Sequence, residues 1–293
     1  MSSLEFFSPT NLDDALKFIQ QEGRGAAIIA SGTDLVPRIR KRQVAPSVLV
    51  DISSFQNDLR YVHNSGGVVR VGALTTLTDV LESPLLRERL SALHEAAELF
   101  GAPQVRNVAT VGGNICSAAS SEDLIPVFMA LGAKVKLVSA KGDRTVPLER
   151  FFKGKRATEM KPSEILAEVS FEAPKGKSWT GFEKLGRRNM LIMSLVSMAM
   201  SLTVTEDLQT VAAARIAMNR VSGKMPALAV KTQDFLLGRK VSPETIAQAQ
   251  KVLASELSLT SDFRASGSYR TEVAQVYLKR LLLRCSGRIR GSG

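Results

Sequence analysis

Cysteine and histidine are scarce in this chain of 293 residues: Cys116, Cys285, His63 and His94 are all it has. Four thiolates cannot be assembled from these residues, so a four-cysteine zinc site or an iron–sulfur cluster held by this chain alone is excluded. The two cysteines are far apart with no CxxC spacing. No disulfide framework is expected, and a reducing, cytoplasmic compartment is. Both thiols read as small buried hydrophobes. His94, on a stripe with Leu90, Leu93 and Ala97, reads as a packed, hydrogen-bonded residue, because no second His or Cys lies near it. Long apolar runs are also missing: none approaches the ~18 residues of a membrane span, and the opening MSSLEFFSPTNLDDAL lacks the basic and apolar regions of a signal peptide.

Aromatic residues make up only 5% of the chain, although 39 Lys+Arg against 28 Asp+Glu give it a net charge of +11. The basic clusters are Arg38, Arg40, Lys41 and Arg42; Arg187 and Arg188; and Arg264, Arg270, Lys279, Arg280, Arg284, Arg288 and Arg290. They are not interleaved with the stacking side chains a nucleic-acid face needs. Solvated faces, an anionic cofactor or an acidic partner surface account for them as well. A basic nucleic-acid-binding protein would explain the charge but not the glycine turns described below. With 44% hydrophobic and 23% charged residues, the composition is that of a globular chain.

Asn11 followed by Asp13 and Asp14, with Leu12, Ala15, Leu16 and Ile19 on one stripe, predicts a helix over 11–22 stopped by Gly23 and Gly25. Residues 26–30 read as a short buried strand ending in the polar turn Ser31-Gly32-Thr33-Asp34, and 48–52 as a second strand. A further unit follows. It has a strand over 67–73, a helix capped at Thr75-Thr76 and broken by Pro84, a helix over 90–100, a glycine turn over 110–114 and a helix over 121–131 stopped by Gly132. A strand over 134–138 then turns at Gly142-Asp143. Ala173 to Ser178 reads as a linker. Beyond it Val196, Met198, Met200, Leu202 and Val204 alternate with small or polar residues, as do Ala212, Ala214, Ile216 and Met218, which predicts paired strands with the methionines on the packing face. Helices are expected near 226–237, 243–257 and 268–284, making the C-terminal part α+β.

The two glycine turns carry the chemistry. Without Cβ atoms the backbone comes close to a ligand and successive N–H groups converge on phosphate oxygens, while Thr33 and Asn114 add side-chain donors. Two such loops suit a diphosphate. The common alternatives fail: no GxGxxG opens a helix, Gly176-Lys177-Ser178 lacks the P-loop glycine because Phe171 stands there, and no GxSxG, HExxH or kinase-like set is present.

Three stretches, in this order, are Ile28 to Leu35 (IIASGTDL), Phe100 to Cys116 (FGAPQVRNVATVGGNIC) and Asp123 to Pro126 (DLIP). With Phe182 to Arg188 (FEKLGRR) and Asp262 to Arg270 (DFRASGSYR), the set resembles the FAD-binding medium subunit of the molybdenum hydroxylases. That family includes xanthine dehydrogenase, carbon monoxide dehydrogenase and nicotinate dehydrogenase. The resemblance implies an α+β fold. A PCMH or vanillyl-alcohol-oxidase-type FAD-binding domain spans 1–175, with subdomains of about 1–54 and 55–175, and a C-terminal domain of antiparallel sheet plus helices spans 179–286.

The resemblance also implies residue roles. Ile28, Ile29, Ala30, Ser31, Gly32, Thr33, Asp34 and Leu35, with Thr110, Val111, Gly112, Gly113 and Asn114, hold the FAD diphosphate. Phe100 lies beside the flavin system, Asp123 contacts the cofactor, and Leu166 lines its site. Lys184 falls where family members place a flavin-proximal lysine, one position after Glu183. No catalytic residue and no metal ligand is assigned. Two departures are notable: Ser31 stands where the family's Ala-Gly-Gly-Thr turn has its first glycine, and Asn189 to Met193 lacks the acidic residues that xanthine dehydrogenases often carry near the flavin.

Partners follow from the same resemblance: a large subunit with the molybdenum cofactor and a small one with two 2Fe-2S clusters, in a heterotrimer or its dimer. The acceptor would be NAD+, oxygen, a quinone or a carrier protein. The extra iron–sulfur cluster of the branch resembling 4-hydroxybenzoyl-CoA reductase is excluded by the cysteine count. A free-standing flavoprotein similar to UDP-N-acetylenolpyruvoylglucosamine reductase shares the length and glycine turns but not the stretches at 182–188 and 262–270.

Overall fold

The computed structural model describes residues 4–186, 193–219 and 227–291. Arg187, Arg188 and the loop residues Asn189 to Ile192 lie outside the described residues. The first layer is a three-stranded parallel sheet, with β1 (Glu5–Phe7) and β2 (Ala26–Ile29) on either side of β3 (Val48–Asp51). Helix Leu12–Glu22 connects β1 to β2. Its start follows the sequence pattern: the Asp14 N–H donates to the Asn11 side chain at 2.9 Å, and Asp13 and Asp14 occupy the positive end. Ala15, Leu16 and Ile19 form the buried stripe.

The second layer is a five-stranded antiparallel sheet. It is built from β4 (Val62–Ser65), β5 (Val68–Gly72), β6 (Lys134–Ser139) and β7 (Gly142–Pro147). After a small hairpin of β8 (Phe152–Gly154) and β9 (Ala157–Thr158), β10 (Ile165–Glu172) completes it, in the order β4-β5-β10-β6-β7. The third is antiparallel and sequential: β11 (Lys177–Leu185), β12 (Val196–Val204), β13 (Val211–Asn219) and β14 (Ala227–Leu228).

Helices fill the space between the second and third sheets. Leu93, Ala96 and Ala97 of Ser91–Glu98, Ile115 of Val111–Ser117 and Phe128 of Leu124–Ala130 share one core with Val69, Val71 and Val135 on one side and with Phe182, Ala199 and Ala217 on the other. Met198, Met200 and Met218 point to the opposite face of the third sheet. There helices Val230–Leu236, Pro243–Glu256 and Gly267–Gly291 cover them in a second core. This explains why β12 is buried on both faces over much of its length, although its sequence alternates: the small residues between the methionines pack on a neighbouring helix layer rather than facing water. The chain is α+β, as expected.

Several boundaries differ from the sequence reading for local reasons. Residues 110–114 are not a free turn but the start of the helix Val111–Ser117, capped by Thr110. The helix expected from 121 begins only at Leu124. Pro84 ends one helix at Glu82 and, at a position where its missing N–H costs nothing, opens another, Pro84–Arg89. Gly142 and Asp143 already belong to β7, pairing with Ser139 and Val138, so the hairpin turn is Ala140-Lys141. The linker shrinks to Ala173–Gly176 because Lys177 and Ser178 pair with Val204 and Thr203. β2 is half-buried rather than buried, its residues facing a cleft. His94 is half-buried, beside a stripe that Ala92, Leu93, Ala96 and Ala97 fill. Asp262, Arg264 and Arg270 form an ion-pair knot at the start of the last helix, with Arg270 buried and its guanidinium 2.6 Å from Asp262. No helix among the described residues is long and apolar enough to cross a membrane.

Candidate cofactor cleft

Between the parallel sheet and the second layer lies a cleft of about 490 Å³, which continues into a second cavity of about 410 Å³ through Ala27, Ile28, Ala30, Thr110, Gly113 and Cys116. One wall is the end of β2 and the turn that follows it; Ile28, Ile29, Ala30, Ser31, Gly32, Thr33, Asp34 and Leu35 all line the cleft. Gly32 has a positive φ of 73°, and a Cβ there would come within 2.7 Å of Val36, so this position requires glycine on both counts. Ser31 is outside the left-handed region, so its side chain is accommodated. The backbone N–H groups of Ser31, Gly32, Thr33 and Asp34 have no hydrogen-bond partner among the described residues. Four successive donors beside a cleft are a ready anion site.

The facing segment works differently. Here Val111 N–H donates to Thr75 O at 2.9 Å, Gly112 N–H to Ala73 O at 2.8 Å, Gly113 N–H to Thr110 Oγ1 at 3.0 Å and Asn114 N–H to Thr110 O at 2.9 Å. The nest of converging donors expected at 110–114 is therefore replaced by a helix start whose main-chain donors are engaged. Thr110, Gly113 and Asn114 line the cleft and Gly112 the adjoining cavity, whereas Val111 is buried in the core away from both. Asn114 also departs from the donor role: its Nδ2 donates to the Glu122 carboxylate, leaving its buried Oδ1 without a partner.

Phe100 and Asp123 line the far end of the cleft, and Leu166, at a bulge in β10, lines the adjoining cavity. Lys184 does not line either. It lies beneath Asp123, its Nζ 2.5 Å from Asp123 Oδ2 and 3.0 Å from Leu99 O, both side chains being 5% exposed. Burial raises the Asp123 carboxyl and Lys184 pulls it back; Asp123 Oδ1 is buried with no partner. Glu183 points the other way along β11, 3.1 Å from Arg284.

The sequence reading missed Glu122, Ser117, Cys116, Arg38 and Arg156, all of which line the cleft. Burial pushes Glu122 up to about 7, with Ser117 Oγ donating to it at 2.7 Å. Cys116 is half-buried rather than buried, and its thiol is pushed up to about 12 by desolvation. None of these residues belongs to a recognisable linear motif; only the fold brings the β8–β9 hairpin and the 117–122 loop to the β2 turn.

The arrangement fits a dinucleotide with an aromatic head: open main-chain donors for phosphate, a glycine facing them where a ligand approaches, an aromatic wall, and orphaned acceptor oxygens on Asn114 and Asp123 for hydroxyl or ring N–H groups.

Two family models match the chain: the FAD binding domain in molybdopterin dehydrogenase over residues 2–174, and the CO dehydrogenase flavoprotein C-terminal domain over residues 180–285. The chain is similar to the nicotinate dehydrogenase FAD-subunit of Eubacterium barkeri, 31% identical over 288 residues, which are 97% of this chain and 96% of that one. It is 30% identical over 267 residues to the glyceraldehyde dehydrogenase medium chain of Sulfolobus acidocaldarius, with 91% and 92% of the two chains covered. Among solved structures, a chain of carbon monoxide dehydrogenase from Hydrogenophaga pseudoflava, in a form lacking the Mo-pyranopterin moiety of the molybdenum cofactor, matches with a TM-score of 0.91 at 29% identity, covering 98% of each chain.

Proposed function

This chain belongs to the FAD-binding subunits of the molybdopterin dehydrogenases and is a subunit of an FAD-dependent oxidoreductase, and we propose that it serves its complex as the electron outlet. In this reading the flavin domain is residues 1–175 and the C-terminal domain 179–286. Its partners are a large subunit that hydroxylates a purine, an N-heterocycle, an aldehyde or CO at a molybdenum cofactor, and a small subunit whose 2Fe-2S clusters deliver the electrons. The acceptor is NAD+, oxygen, a quinone or a carrier protein. Two unpaired cysteines favour a cytoplasmic setting.

When bound, FAD supplies the redox chemistry, accepting electrons singly and releasing them in pairs. The protein's residues place it. The N–H groups of Ser31, Gly32, Thr33 and Asp34 receive the diphosphate, with Thr110 and Gly113 opposite. Asn114 and Asp123 present acceptor oxygens, Phe100 and Leu166 pack against the ring systems, and Lys184 fixes the charge of Asp123 from beneath.

The observation that carries this reading is the run of four unpartnered N–H groups facing a glycine across the cleft. The test is the FAD content of the purified protein and of Gly113→Val. Wild type is expected to carry close to one FAD per chain, and the variant, with a branched side chain in the path of the diphosphate, to be colourless while retaining its circular dichroism. A folded Gly113→Val with full FAD occupancy overturns the assignment of this loop.

A further inference from the structure

The cleft holds an electrostatic conflict. Asp34, Glu122 and Asp123 line it as acids, against Arg38 and Arg156 as bases, with Lys184 balancing Asp123 from beneath. A diphosphate brings two more negative charges to the turn that already carries Asp34, so the site needs a cation placed at that turn.

Arg156 occupies that place. Its Nη1 and Nη2 donate to Asp34 Oδ2 and Oδ1 at 2.7 and 2.9 Å, the two-pronged geometry of the strongest ion pairs, while Arg38 stands 3.6 Å from the same carboxylate. Arg156 is preset rather than swinging. Its N–H donates to Ala118 O at 2.8 Å and its Nη1 also to Ser117 O at 3.0 Å. Its φ of 61° at the tip of the β8–β9 hairpin is a left-handed conformation that a non-glycine residue adopts only against strain. Three of the five guanidinium N–H groups are used in this way. The Nε–H and the second Nη2–H have no partner among the described residues, and the side chain is 30% exposed in the cleft.

We propose that Arg156 is an FAD-binding residue: anchored by Asp34 and Ser117, its guanidinium turns its remaining donors and its charge to the diphosphate held by the Ser31–Asp34 turn. This rests on the reading of the cleft as the FAD site. The Asp34 carboxylate is thereby the anchor of the cation, while its backbone N–H stays with the diphosphate, which explains an acidic side chain in a phosphate-binding turn. A mere tie between the two walls would also link Arg156 to Asp34, but it would require neither free donors nor a net cation.

The test is titration of the FAD-stripped protein with FAD, followed by quenching of flavin fluorescence, for wild type, Arg156→Gln, Arg156→Lys and Asp34→Asn, with thermal unfolding of each apoprotein. Arg156→Gln is expected to raise the Kd about tenfold or more, and Arg156→Lys, which keeps the charge but not the fork, by less. Asp34→Asn keeps an acceptor oxygen for the guanidinium, which Ser117 O also holds, while removing an anion beside the diphosphate, so the cation stays in place and the Kd is expected to fall. A tie alone gives the opposite outcome for Asp34→Asn, a weakening that matches Arg156→Gln, and that result overturns the proposal. So does a folded Arg156→Gln that binds FAD like wild type, which leaves the cleft assignment standing; failure of wild type itself to bind FAD refutes that assignment instead.

Discussion

Adjacent glycines with different physical roles offer a sharp test of the cleft. A Cβ on Gly112 would stand 2.8 Å from Ala73 Cβ and 2.9 Å from Ala73 O, the same carbonyl to which Gly112 N–H donates at 2.8 Å. The obstacle is backbone, so the helix must move off the end of β5. Overpacking of this kind costs ~1–3 kcal/mol, and loosening the hydrogen bond about 1 kcal/mol more, so Gly112→Ala is expected to destabilise the FAD-free protein by ~2–4 kcal/mol. At ~2–4 °C per kcal/mol for a chain of this size, its Tm falls by roughly 5–15 °C. A Cβ on Gly113 would meet only Thr110 Oγ1, at 2.9 Å, the rotatable end of a side chain. Gly113→Ala loses part of the Thr110 cap, ~1 kcal/mol, and gains about as much helix propensity. Its apoprotein Tm should therefore stay near that of wild type while its FAD affinity drops. Differential scanning fluorimetry of the apoproteins and FAD titration decide it. A Gly112→Ala apoprotein as stable as wild type, or a Gly113→Ala protein that binds FAD as tightly, refutes the division of roles.

Two further outcomes follow from the buried charges. Lys184→Met leaves Asp123 without its cation in a site where both are 5% exposed, and should cost ~3–5 kcal/mol in urea denaturation. Adding Asp123→Asn should restore most of that, and a double variant as unstable as the single one would show that the pair is not the cause. Glu122, pushed up from 4.5 to about 7 by burial, binds its proton more tightly in the folded than in the unfolded state. Its contribution, on the order of 3 kcal/mol, is present below about pH 4 and is lost as the pH rises through about 7. Glu122→Gln removes that part of the slope, so parallel stability curves for variant and wild type between pH 5 and 8 would contradict the burial of this carboxyl.

Legibility followed the range of the interactions. Helix Leu12–Glu22 and strand β12 were readable because capping and alternation are local. The 28–35 wall was readable because one contiguous segment forms it. The start of the helix at Val111 was not, because Gly112 and Gly113 look like a turn until Ala73 and Thr75, just beyond β5, accept the N–H groups of Gly112 and Val111. Arg156 was illegible for a stronger reason: its partner Asp34 is 122 residues away in the chain, and nothing at 153–156 marks one basic residue among several. Lys184 shows the converse. The sequence located it correctly in a strand near the cleft, but the direction of its side chain depends on β11 docking against the helix Ser91–Glu98.

That docking lets the third sheet act on a residue that lines the cleft. Glu95 on this helix accepts the Phe182 N–H at 2.8 Å and pairs with Arg284 of the last helix, while Arg284 also holds Glu183 at 3.1 Å. On the same face of this sheet, two strands away, Arg215 of β13 reaches Glu149 at 2.7 Å and Met129 O at 3.2 Å. β11 is thus held by Glu95 and Arg284 immediately before Lys184, and that hold lets one ammonium group sit in a dry position beneath Asp123. Without that ammonium group, Asp123 would be a buried carboxyl with neither oxygen compensated, and it would neutralise by taking a proton. An acceptor lining the cleft would then become a donor. The charge at the Asp123 end of the cleft is therefore set by Lys184, a residue of the third sheet that does not itself line the cleft.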